Sequence, residues 1–220
     1  MPYLFDAHTL QRDVQDLIGT PRSEVFQAVT ERLHSRYPDV ISPTLPPWLL
    51  NNAGGAMGQF MLLYASLQEY IMIFGTPIGT EGHSGRYATQ IWDLVLDGEM
   101  WCYREGETER HVYGPGDMAY LGCHEAKGYR IPEQAWMLEY CRGNVPSMLP
   151  FGLADVVSST LDVRLGARTI GYYGSRVLRA YGQQLRCLVG GRRQATAQPQ
   201  SVVANPVQEA ARPPSARAHL

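Results

Sequence analysis

Basic residues are not in excess in this chain. Nineteen Lys and Arg face 21 Asp and Glu, a formal net charge of −2, so no broad positive field marks it for nucleic acid. Its four cysteines, Cys102, Cys123, Cys141 and Cys187, show no CxxC or other paired spacing. That favours structural thiols over a disulfide-stapled secreted domain. The six histidines (His8, His34, His83, His111, His124 and His219) form neither HxH nor HExxH, so no metal is expected. His83, in TEGHSGRY, reads as a loop anchor. Neither GxSxG nor a GxGxxG opening a helix occurs, and GPG at Gly114–Gly116 is a turn, so no cofactor is expected. The start, MPYLFDAHTLQRD, lacks the basic and apolar regions of a signal peptide. Long apolar runs are also missing. The nearest candidate, AMGQFMLLYASLQEYIMIFG over Ala56–Gly75, is broken by Gln59, Gln68 and Glu69. It reads as a buried helix running into a strand rather than as a membrane span.

What is present suits one domain with a sizeable core: 220 residues, 45% of them hydrophobic. Residues 1–47 predict helices and a connector. Asp6 can cap a helix carrying Leu10, Val14, Leu17 and Ile18, which Gly19 ends. Thr20 can cap a second, with Pro21 in its first turn and Val25, Phe26, Val29 and Leu33 as a stripe. Pro38, Pro43, Pro46 and Pro47 then enforce an extended connector. Residues 48–146 change character. Short apolar runs alternate with GTPIGTEGHSG, DGE, REGETER, YGPGD and RIPEQ, turn clusters about ten residues apart. This spacing favours an antiparallel sandwich or barrel, and YGPGDMAYL suits a cupin-like one. Residues 147–190 read as helical, with Arg164, Arg168, Arg176, Arg179 and Arg186 among Leu165, Ile170, Val177, Leu178 and Tyr181. An anionic membrane surface and an ordinary solvated face both fit that pattern. Residues 191–220, rich in Ala, Pro, Gln and Arg, read as a disordered tail.

Two acids stand out. In QIWDLVLDG (Gln90–Gly98), alternation puts Ile91, Asp93 and Val95 on one face and Trp92, Leu94 and Leu96 on the other. In QAWMLEYCRG (Gln134–Gly143), Met137, Glu139 and Cys141 share a face against Trp136, Leu138 and Tyr140. Asp97, before Gly98, reads as a turn residue. A buried carboxylate costs several kcal/mol unless it is paired, hydrogen-bonded or protonated. Two remedies are open. One is a structural ion pair with Arg86 or Arg142. The other is a pair of carboxyls sharing one proton, which supplies an acid and a base in one apolar cavity.

Longer motifs carry a resemblance. NNAGGAMG, EYIMIFGT, GTEGHSGRY, EYCRG and PFGLAD, spread from about Tyr3 to about Leu188, resemble the family of fungal sterol Δ8–Δ7 isomerases and animal sigma receptors. GTEGHSGRY, PSMLPFGLAD and STLD are nearer the isomerase branch. The resemblance implies an α+β fold: a cupin-like antiparallel β-barrel with N-terminal helices, and C-terminal amphipathic helices covering its opening. It implies a closed apolar cavity for a sterol or cationic amphiphile. Glu139 of EYCRG would contact the cation, and Asp93 would steady it. Tyr70, Phe74, Tyr87, Leu62, Leu149 and Tyr173 would line the ligand. It further implies isomerisation by proton addition and removal, or non-catalytic binding as the alternative. Contact with the membrane surface, at the endoplasmic reticulum in a eukaryote, and a homo-oligomer, a trimer, are also implied. The family's usual N-terminal membrane helix is not visible, so attachment would rest on the C-terminal helices.

Overall fold

Asp6 starts the first helix as its residue type predicts. Its Oδ1 accepts the backbone N–H of Thr9 at 2.9 Å, capping α1 (Ala7–Val14). The second helix begins one residue later than expected. Pro21, not Thr20, holds the cap position of α2 (Arg22–Arg36), and its carbonyl accepts from Glu24 and Val25. Proline suits that place because it has no N–H to leave unpaired. Val25, Val29 and Leu33 bury the inner stripe of α2.

The structure, a computed structural model, describes residues 3–195, with side-chain surroundings up to residue 183. Met1–Leu185 forms one unit by its contacts and Arg186–Leu220 another. Within the first lie β1 (Leu49–Ala53), β2 (Ala56–Ala65), β3 (Glu69–Thr76), β4 (Thr80–His83), β5 (Thr89–Gly98), β6 (Met100–Arg104), β7 (His111–Tyr113), β8 (Met118–Leu121), β9 (Lys127–Ile131) and β10 (Ala135–Gly143). Every pairing is antiparallel. A larger sheet runs β1-β2-β3-β10-β5-β8, and a smaller one β4-β9-β6-β7. Helices α3 (Leu149–Ser158) and α4 (Val163–Ala195) follow. The class is the expected α+β one, two antiparallel sheets with helices before and after them. The tail expected over 191–220 begins inside α4, and its remainder lies outside the described residues.

The helix expected within Ala56–Gly75 is absent, and β2 and β3 fill that stretch. Both faces of the larger sheet are covered, so its strands show apolar residues without alternation, which mimics a buried helix. On the outer face, Leu63, Ile71, Ile73, Leu94, Leu96, Leu138 and Tyr140 pack with Leu10, Val14, Val25, Val29 and Leu33 of α1 and α2. On the inner face, Val95 and Met137 cluster with Met100, Cys102 and Ile131 of the smaller sheet, and Ile91 and Cys141 with Leu62, Tyr70 and Tyr87. A third buried acid belongs to the outer side. Glu69 accepts the N–H groups of Leu4 (2.8 Å) and Phe5 (3.1 Å) and the hydroxyl of Tyr140 (2.8 Å). It fastens the N-terminal segment to the sheet. Asp97 ends β5 in a half-exposed ion pair with Arg22 of α2, at 2.6 Å.

Candidate active site

The pairing of β5 with β10 decides where the two acids meet. Glu139 is the register partner of Asp93, and residues directly opposite on antiparallel strands have Cβ atoms about 4.5–5.5 Å apart. A register irregularity lies between Trp136 and Met137, before the acids, so alternation runs undisturbed from Met137 through Cys141. Both carboxyls therefore project into the space between the sheets. There they line one cavity of about 170 Å³ with Tyr70, Phe74, Tyr87 and Lys127. Asp93 is buried. Glu139 keeps some accessible surface, and that surface lies on the cavity.

Neither arginine offered as an ion-pair partner reaches the acids. Arg86 lies at the surface, bonded to the His124 carbonyl at 2.7 Å and 3.7 Å from Glu105. Arg142 donates to Gln90 at 2.9 Å and sits over the Trp92 ring. Both belong to positions facing away from the cavity. The buried partner is Lys127 at the start of β9, whose Nζ stands 2.6 Å from Asp93 Oδ2, with only 7% of each side chain exposed. The sequence reading missed it, although a signal was there. In KGYRI, alternation places Lys127 with Tyr129 and Ile131, the apolar face, just as it placed Asp93 and Glu139 on theirs. Tyr70 supplies the other contact, its hydroxyl donating to Glu139 Oε1.

The environments of the two acids differ. Burial pushes the Glu139 carboxyl up to about 8, and the negative charge of Asp93 adds to this; the bond from Tyr70 and the charge of Lys127 pull the other way. Burial, the largest influence, acts to lower the Lys127 ammonium, but the charge and hydrogen bond of Asp93, with Cys102 and Glu139 adding to them, together outweigh it, so the net shift is upward and the lysine stays charged. Burial, then the negative charge of Glu139, raises the Tyr70 phenol well above its usual range. Near neutral pH the site therefore holds a charged ammonium, a protonated Glu139 and neutral phenols. Such a set can donate a proton and stabilise a cation without a solvated ion.

A second cavity of about 150 Å³ adjoins the first, sharing Asn51, Tyr70, Met72, Met148 and Gly152 with it. Its own walls include Phe60, Leu62, Val145, Leu149, Tyr172 and Tyr173. The joint space is thus polar at the Asp93 end and apolar at the α3–α4 end. The structure places Tyr70 on both cavities, Phe74 and Tyr87 on the first, and Leu62, Leu149 and Tyr173 on the second. Two of these aromatics are pinned: Tyr87 donates to the Ser84 carbonyl at 2.6 Å, and Tyr173 to that of Ser66 at 3.0 Å. His83 anchors its loop by accepting the Gly85 N–H at 2.8 Å.

Comparison with known proteins gives three findings. A family model described as ERG2 and Sigma1 receptor like protein matches residues 1–184. Among curated proteins, a C-8 sterol isomerase of Neurospora crassa is 40% identical over 166 residues, 73% of this chain and 64% of that protein. The chain thus spans less than two thirds of that isomerase's length. Sigma non-opioid intracellular receptor 1 of Xenopus tropicalis is 37% identical over 177 residues, 80% of each chain. Among solved structures, the polyketide cyclase RemF from Streptomyces resistomycificus aligns with 14% identity and a TM-score of 0.40 over 47% of this chain and 86% of its own.

Proposed function

The chain belongs to the family of ERG2 and Sigma1 receptor like proteins, and from that premise we propose that it is a sterol isomerase moving a ring double bond from Δ8 to Δ7. The observation that carries the reading is the pair itself: Glu139 opposite Asp93 in register, on the wall of a cavity that is otherwise largely apolar. The reaction needs no oxidant. The acid of the pair gives its proton to C9, and the electrons of the C8–C9 π bond form the new C9–H bond, leaving a tertiary cation at C8. The C7–H bond then breaks. Its electrons become the C7–C8 π bond, and its proton returns to a carboxylate of the pair. One proton is held before and after.

A carboxylic acid is weak for protonating an isolated alkene, so stabilising the cation must supply much of the barrier reduction. Fixed negative charge in a site screened from water does this far better than water would. Tyr70, Phe74, Tyr87, Leu62, Leu149 and Tyr173 form the binding walls. A protonated amine copies the C8 cation, which accounts for cationic amphiphiles as ligands of such a site. The exposed apolar side chains of α3, α4 and their connection, among them Val157, Leu161, Val163, Ile170 and Leu178, interleaved with Arg164, Arg168 and Arg179, suit a membrane surface through which a sterol would arrive.

Incubation with a Δ8 sterol in heavy water should yield Δ7 product carrying deuterium at C9. Glu139→Gln should lower kcat by at least about 10³-fold; retention of the wild-type rate would remove Glu139 from the chemistry. The similarity to a sigma receptor favours a second reading, a binder that holds sterols or cationic amphiphiles without turnover. Binding with no deuterated product is its signature.

A further inference from the structure

We propose that Lys127 is the positioning residue that divides the labour of the two acids: it holds Asp93 as the standing anion and leaves the proton to Glu139, so that the resting cavity is electrically neutral and accepts an uncharged lipid. This rests on the isomerase reading of the same site and adds what that reading leaves open, which acid gives the proton.

The argument begins with partners. Lys127 reaches from the smaller sheet to Asp93 of the larger one, 2.6 Å between Nζ and Oδ2, with both side chains buried. An ammonium has three donors and no acceptor, so its carboxylate partner is held ionised. Glu139 receives a neutral phenol hydroxyl instead, at Oε1. Placing the proton the other way would leave a buried ammonium against a neutral acid and move the anion to the carboxyl without a cation. At low dielectric that exchange is costly. Other titratable groups facing the acids are Tyr129 on β9, Cys102 on β6, Cys141 on β10 and Tyr87 before β5; burial raises each of them, so none of these four supplies a charge near neutral pH. His83 at the end of β4 also lines the cavity, with its Nδ1 taken as the acceptor of the Gly85 N–H. The sum over Lys127, Asp93 and neutral Glu139 is therefore zero. Two acids without the lysine, sharing one proton, would carry a net charge of minus one and would hold a permanent cation in preference to a neutral sterol. Lys127 thereby biases the cavity toward substrate and away from amines, and permits a net negative cavity only after Glu139 has given up its proton to the sterol.

The first test uses the wild-type chain. A tertiary-amine amphiphile is titrated in calorimetry below about pH 7, in buffers of different ionisation enthalpy. A cation entering a neutral cavity displaces the Glu139 proton, so about one proton per amine should be released. No release would mean a cavity already anionic, and would overturn the assignment. The second test replaces the charge by an apolar side chain of similar length. Lys127→Met should bind the same amine at least about 10-fold tighter, without proton release. Its kcat should fall on the order of 100-fold while the sterol KM stays within about 3-fold, and the alkaline limb of its rate profile should move upward. Lys127→Arg, which keeps the charge, should return proton release to near one. A folded Lys127→Met that binds amine no tighter overturns the proposal. Should it fail to fold, the wild-type proton count decides alone. Proton release without Δ7 product leaves this charge assignment standing and removes the isomerase reading; product without proton release does the reverse.

Discussion

Glu139 is held neutral by where its strand puts it. Its carboxyl is pushed up to about 8 by burial first and by Asp93 second, whereas in an unfolded chain it would titrate near 4.5. The sign of the linkage follows. Between those values the folded state binds the proton and the unfolded state does not, so this group stabilises the fold fully below about pH 4.5, and the contribution is lost as pH rises toward about 8. Subtracting the Glu139→Gln stability curve from that of wild type should leave a difference that declines across this window by a few kcal/mol, on the order set by the shift. Denaturant unfolding at several pH values measures it, and a flat difference would mean that Glu139 titrates normally. The same proton governs the proposed chemistry, so kcat/KM should fall above about pH 8. Tyr70→Phe removes the phenol that donates to Glu139. Because that bond favours the ionised carboxyl, the alkaline limb of the variant should shift upward, and a pH–rate profile of Tyr70→Phe reads that shift.

At the scale of elements, the site depends on three strands keeping register, β3, β10 and β5. Gly75 is critical to the first pairing. It lies opposite Trp136, and a Cβ added there would come within 2.2 Å of the Ala135 carbonyl oxygen and 2.6 Å of the Trp136 ring. That indole packs edge-on against Phe26 and Trp48 at 5.1 Å, which ties α2 and the proline-rich connector to the sheet. Gly75→Ala should therefore lower stability by about 1–3 kcal/mol, measured by chemical denaturation, with near-ultraviolet dichroism reporting the displaced tryptophans. The ease of reading each element followed its surroundings. Asp6 and the stripe of α2 were legible because one helix face is solvated, whereas the first helix stops at Val14 and passes into a 3₁₀ turn over Gln15–Leu17, short of the expected end at Gly19. The acids on β5 and β10 were legible because a charge inside an apolar run breaks the pattern. Strands β2 and β3 were not, since burial on both faces erases alternation. Lys127 stood at a strand start behind Glu125 and Ala126, where a cation passes for a loop residue, and only its long-range partner Asp93 gives it meaning.

For the molecule up to Tyr181, the ordering of polarity along the joint cavity is the feature that no single element carries. The ionisable groups gather where β5, β9 and β10 meet, and the walls turn apolar toward α3 and α4. Outside that apolar end, large hydrophobic side chains are exposed: Val157 is 68% accessible, Leu161 70%, Val163 78% and Leu178 75%. Among the described residues, no helix is long and apolar enough to cross a membrane. The pattern is instead one in which an amphipathic surface can lie at an interface, with arginines at the headgroups. If that surface is the sterol's route, charge on it should hinder delivery while leaving the acids untouched. Val163→Glu combined with Leu178→Glu should cut co-flotation with anionic vesicles by about 10-fold or more, each side chain contributing on the order of 1–3 kcal/mol. It should slow turnover of a vesicle-borne Δ8 sterol yet keep the affinity for a water-soluble amine within about 3-fold. The contrast matters because the amine reports the polar end of the cavity alone. Unchanged flotation by the double variant would free α3 and α4 from any membrane role, and the entrance would have to be sought elsewhere around the two sheets.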